Sequence, residues 1–206
     1  MNYTIIIIAI TAIVSLAAFN DQRLFDKLIL WPRKMHEPKE YYRLLTSGFI
    51  HANWPHLIFN MIALYFFGTV VEQIIKEFTG MQALYLVLYI TGIVVASLPT
   101  FFKHRNNSAY RSLGASGGVA SVLFVTFYFQ PWSEIYLFFI PIGIPSILFA
   151  TAYLIYSGIM SKRASSHINH GAHFWGAIYG LVFAFVIDPT HGRWFIDQLM
   201  SPHYKF

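Results

Sequence analysis

The sequence contains no cysteine. That excludes disulfides, thiolate metal sites and a cysteine nucleophile at once. Charge is scarce as well: Asp, Glu, Lys and Arg make up 11% of 206 residues, where a soluble domain carries about 25%. Internal repeats and low-complexity tracts are missing, so disorder, coiled coil and collagen-like assemblies do not fit. What fills the chain is apolar. Hydrophobic residues reach 56% and aromatics 18%, and the mean hydropathy is +0.53. A chain of this length makes one domain, with no second core in which to hide that surface. The composition therefore indicates a multi-pass membrane protein. Its net charge of +5 comes from basic residues scattered between apolar runs, a pattern of membrane-flanking charge and not of a nucleic-acid-binding face.

Apolar runs bounded by charge fall at about 4–19, 55–75, 81–102, 115–130, 134–159 and 171–188. A helix needs about 20 residues to cross a bilayer core of ~30 Å. The expectation is six membrane helices in a single all-α domain over 1–206. The first and fourth runs are short, and Pro141 and Pro145 interrupt the fifth. No Lys or Arg precedes the first run, so it reads as a helix and not as a signal peptide. The loop at 20–54 is far too long for a mere connector. Its Leu24, Phe25, Leu28, Ile29, Leu30 and Trp31 suit a segment lying partly in the membrane interface.

Charge gives an orientation. With a cytoplasmic amino terminus, that side would carry only Lys76, Arg193 and Lys205. The opposite side would carry Arg23, Lys27, Arg33, Lys34, Lys39, Arg43, Lys103, Arg105, Arg111, Lys162 and Arg163. The positive-inside rule favours an external amino terminus.

Nine histidines are the second anomaly of composition, because polar groups inside a membrane are costly and usually functional. The sixth run opens with His170 and His173, three apart and on one helix face. Gly176 and Gly180 extend that side as a strip that lets another helix approach at backbone distance. The fourth run opens Gly114-Ala115-Ser116-Gly117-Gly118. A serine among glycines at a helix start can expose its hydroxyl and leave backbone N–H groups free for an anion; the same residues also suit plain close packing. Packed together, the two helix starts would bring Ser116 within reach of His173, as a nucleophile and its base require. In the third cluster, His51 precedes His56 and Asn60, which are four apart at the start of the second run behind Pro55. An imidazole beside a carboxamide makes a donor pair suited to an oxyanion, or a structural hydrogen-bonded pair.

Other chemistries fit less well. The H-E-x-x-H helix of zinc proteases is absent, and His36-Glu37-Pro38 runs into a proline with no second histidine four residues on. Asp188 lies fifteen residues past His173, about 22 Å along a helix, so neither an aspartyl pair nor a third triad member is at hand. A Ser-His dyad remains.

The three clusters, in this order and at these helix starts, resemble the rhomboid family of intramembrane serine proteases. The matching pieces are His51-x4-His56-x3-Asn60, Gly114-Ala115-Ser116-Gly117 and His173-x2-Gly176-x3-Gly180. Tyr42-Arg43 is similar to the family's Trp-Arg pair, and Glu72 to a glutamate near the far end of the second helix. The resemblance spans about 40–181. It implies Ser116 as nucleophile, His173 as general base, and His56, Asn60 and the Ser116 N–H as the oxyanion hole. His51 is implied as an accessory residue near a water-filled cavity, the long loop as partly submerged, and the fifth helix as a gate for a substrate helix. It further implies transmembrane protein substrates, no cofactor, and a place in a plasma or inner membrane. Two features depart from the family. Ala120 stands where many relatives have an aromatic packed on the histidine ring, and the charge count opposes the family's cytoplasmic amino terminus. The rival readings are a catalytically inactive helix-binding relative and a histidine-based proton-coupled transporter.

Overall fold

The computed structural model describes residues 2–136, 142–162 and 169–200. Helix α1 (Tyr3–Asn20) starts at Asn2, whose side chain accepts from the Ile5 N–H, the usual way to satisfy an orphan donor at a helix start. Its polarity is inverted relative to a soluble helix: Thr4, Thr11 and Ser15 face protein, while Ile5, Ile10 and Ile13 are exposed. Next come α2 (Gln22–Leu28), α3 (Arg43–Thr46) and three short 3-10 turns within the long loop. Helix α4 (Trp54–Thr79) is capped by Asn53, carries Pro55 in its first turn, and stops at Gly80, whose φ of 69° costs a glycine nothing.

Helices α5 (Leu84–His104), α6 (Ser116–Phe129), α7 (Ser146–Met160), α8 (His170–Ile187) and α9 (His191–Met200) complete the fold. α1, α4, α5 and α8 are long and apolar enough to cross a membrane, while α6 and α7 are shorter apolar helices. The all-α, multi-pass expectation therefore holds, with four full-length spans among the described residues. Helix α6 is the centre: every residue from Gly117 to Phe129 is buried, as a helix apolar all round should be. At 1.5 Å per residue its 14 residues extend only about 21 Å. One end of α6 must therefore lie inside the thickness that its neighbours cross.

The fifth run departs most from expectation. Helix α7 begins at Ser146 and not near 134, because Glu134–Ile135 (β1) pairs antiparallel with Ile144–Pro145 (β2). Proline has no N–H and crowds the preceding turn, and Pro145 stands at the N-cap of α7, where neither property costs a helical bond. Pro141 lies outside the described residues. The amphipathic α9 was not expected; it docks through Phe195 on Tyr128 and through a hydrogen bond from Trp132 Nε1 to the Gln198 carbonyl.

Far from the histidine clusters, Glu72 of α4 ties down the start of α1. Its carboxylate accepts from the Tyr3 and Thr4 N–H groups, the Thr4 hydroxyl and Gln82 Nε2, at 2.6–2.9 Å. A carboxylate at a helix N-terminus also meets the positive end of the helix dipole. Glu72→Ala should destabilise the protein by roughly 2–4 kcal/mol, through loss of charged hydrogen bonds in a buried place. Thermal unfolding in detergent would read this, and an unchanged midpoint would refute it.

Candidate active site

Helices α4, α6 and α8 all begin at the same end of the bundle, and the three polar clusters are their first turns. What sets their spacing is glycine. A methyl on Gly176 would collide with the Gly117 carbonyl, and one on Gly180 with the Ser121 carbonyl. The α6 and α8 backbones thus touch along this strip. The contact is continued by Ser121 Oγ, which bonds to the carbonyls of Gly117 on its own helix and Gly176 on α8. An added Cβ at Gly117 would lie 3.8 Å from the Cβ of Ala172, so the residues just after Ser116 and just before His173 are neighbours.

Ser116 and His173 are both half-buried. Among the described residues no hydrogen bond joins them; in a site without substrate such bonds are commonly long. His56 reaches the same place from α4. Gly114 has φ of 113°, and a Cβ there would stand 2.8 Å from His56 Nε2, so the imidazole lies against the strap that leads into Ser116. His173 is within electrostatic reach of His56 and His170. Asn60 is buried, and its Nδ2 donates to the His56 carbonyl at 2.9 Å, leaving its second N–H unused by that bond. Side chains cap α4 (Asn53) and α8 (Asn169), whereas none caps α6. The first N–H groups of α6 have no helical partner either, so they remain for a ligand. A cavity of about 10 Å³, bounded by Ser97, Ser112, Ser116 and Asn169 among others, has room for roughly one water.

The long loop holds the strap before Ser116 by successive backbone groups. Ser112 exchanges both backbone bonds with Leu30, and the Gly114 N–H donates to the Ser47 carbonyl. The Ala115 N–H donates to His51 Nε2 at 3.3 Å, and His51 Nδ1 lies 2.9 Å from Ser15 Oγ. Since Nε2 accepts, a neutral ring must carry its proton on Nδ1 and donate to Ser15, whose hydroxyl donates to the Phe49 carbonyl. His51 is 0% exposed. Its ring is a buried link from α1 to the strap. Burial pushes the His51 imidazole down to about 3, and His56 adds repulsion.

The loop itself is built on Arg43, which is buried and donates to the Asp26 and Ile29 carbonyls and to Glu40. Tyr42 bonds through its hydroxyl to the Lys27 carbonyl. Ile29 and Leu30 are buried within the protein, so part of the apolar set expected at the lipid interface packs inward. Lys34 and Arg111 both lie over the Trp31 ring. Several basic residues thus answer to loop architecture.

Sequence reasoning missed Ser15, Asn169 and Tyr153. Asn169 caps α8 and ties it to Thr100 and Ser112; an Asn ahead of a helix start was a readable cap. Ser15 carried no signal within an apolar run. Tyr153 of α7 stacks on His173. Among the described residues no three His, Asp or Glu side chains gather as metal donors.

Comparison with known proteins gives the family. A rhomboid domain is matched over residues 38–189. The chain belongs to the rhomboid family. This rhomboid is 27% identical over 186 residues to rhomboid protease GlpG of Haemophilus influenzae, the match covering 89% of each chain. It is 34% identical over 153 residues to RHOMBOID-like protein 12, mitochondrial, of Arabidopsis thaliana, covering 66% of this chain and 43% of that one. To rhomboid protease GluP of Bacillus subtilis it is 28% identical over 162 residues, covering 79% and 29%. It thus spans less than half the length of the last two. A further relative, Rhomboid-like protein 11 of Arabidopsis thaliana, is 31% identical over 169 residues, covering 74% of this chain and 55% of that one, and is named as chloroplastic. The names of the relatives thus do not agree on one host membrane.

His51 supplies a pH test. Its folded value lies below the ordinary 6.5, so its neutral form contributes stability above that pH and loses it as pH falls toward 3. The expected slope is about tenfold in the folding constant per pH unit for one proton. His51→Gln should flatten the acid side of a stability-versus-pH curve by one proton; an unaltered curve would show that this ring is not the buried neutral link.

Proposed function

We propose that this rhomboid is an intramembrane serine endopeptidase acting through Ser116 and His173. The observation that supports it most is the backbone contact of α6 and α8 at Gly117 and Gly176, which sets the starts of the two helices side by side. In the proposed reaction a substrate transmembrane helix unwinds locally and exposes a carbonyl. His173 takes the Ser116 proton, and Oγ attacks the carbonyl carbon. The resulting oxyanion is met by His56, the free N–H of Asn60 and the Ser116 backbone N–H, donors fixed in advance where charge develops. His173 returns the proton to the leaving amine, and water then hydrolyses the acyl-enzyme, for which the small polar cavity beside Ser116 has the right size.

The donor set is hydroxyl, imidazole, carboxamide and backbone N–H, so the chemistry is acyl transfer without a cofactor. Substrates on this reading are membrane proteins with small residues near the cut and a helix-weakening residue beyond it. The proposed host is a plasma or inner membrane, with the active-site end facing outward.

The test is cleavage of a single-pass membrane protein by the purified enzyme in liposomes. Ser116→Ala should abolish product. Asn60→Ala should slow turnover by about 10²-fold, the usual effect of deleting one oxyanion donor. Full activity of Ser116→Ala would overturn the assignment.

A further inference from the structure

We propose that Tyr153, on α7, is the positioning residue that sets the His173 ring for proton transfer. The proposal rests on the reading of His173 as general base. The two rings lie nearly parallel, with centroids 6.1 Å apart and planes inclined by 21°. A histidine χ2 is a broad, roughly two-fold torsion, so a ring with no packed face would wander about it. Here one face is set by Tyr153, while His170 meets His173 edge-on at 5.7 Å.

Tyr153 is itself held. Phe124, Phe127, Phe149 and Tyr153 form a closed circuit of ring contacts: Phe124 on Phe127 at 4.9 Å, Phe127 on Phe149 at 6.1 Å, Phe149 on Tyr153 at 6.1 Å, and Tyr153 back on Phe124 at 5.6 Å. Two of these rings come from the buried centre of α6 and two from α7. Tyr153 is the member that reaches the histidine. One turn further along α7, Tyr156 meets His170 edge-on at 5.3 Å. Residues three apart on α7 thus pair with residues three apart on α8, which fixes the register of the two antiparallel helices at the site.

This arrangement accounts for Ala120. A methyl at that buried position of α6 offers the histidine no ring, and the aromatic support comes instead from the neighbouring helix. The consequence is mechanical: any displacement of α7 from α8 removes the support of the base, so a fully set His173 requires a seated α7.

The experiment compares the full-length wild type with Tyr153→Phe, Tyr153→Leu and Tyr153→Met in liposomes, with Ser116→Ala as the inactive control. kcat and KM are measured separately, and thermal unfolding verifies each fold. Tyr153→Phe keeps the ring and should stay within about twofold of wild type, whereas Leu or Met should lower kcat by about ten- to a hundredfold with KM little changed, as misplacement of a catalytic group does. The methionine variant fills the space flexibly and serves if the leucine variant does not fold. Leucine or methionine variants with unchanged or raised kcat would overturn the proposal, as would equal damage from phenylalanine. A wild type that cleaves nothing would instead overturn the protease reading on which it rests.

Discussion

The contact of α6 on α8 through Gly176 and Gly180 is the constraint from which the rest follows. Helix interfaces in lipid gain little from apolar burial, since lipid tails are as apolar as leucine, and depend on close backbone approach. Here the approach is so close that a single methyl would strike a carbonyl of the facing helix. Because Ser116 and His173 occupy the first turns of those helices, the packing of the bundle and the geometry of the site are one arrangement.

Around that contact, the long loop acts as a brace. Leu30, Ser47 and His51 take backbone bonds from the strap at Ser112, Gly114 and Ala115, and Ser15 anchors His51 from α1. α1 is pinned at its other end by Glu72. Polar groups that would be expensive in lipid are thereby used twice, once to satisfy each other and once to hold a strap whose Gly114 adopts a conformation few other residues tolerate. Of the three helix starts gathered at the site, those of α4 and α8 are capped by Asn53 and Asn169, and that of α6 carries no side-chain cap.

Much of this was legible in the sequence for physical reasons. Helix spans followed from apolar runs bounded by charge, and Gly176 and Gly180 announced a close interface by their spacing from His173. The failures have physical causes too. The fifth run looked continuous by hydropathy, but a short β pair occupies its start. The partners of His51, Ser15 and Ala115, are 36 and 64 residues away, beyond any local pattern. Tyr153 was invisible because a tyrosine in an apolar helix is ordinary; only the packing of α7 on α8 gives it a role. Arg43, counted among the loop charges, is a buried structural residue, which no local pattern announced.

The most direct measurement of the central claim is labelling of the detergent-purified protein with a fluorophosphonate probe, which reacts with an activated serine. The account predicts labelling of the native protein that disappears in both Ser116→Ala and His173→Ala. Absence of labelling in a demonstrably folded native protein, or labelling that survives His173→Ala, would contradict it.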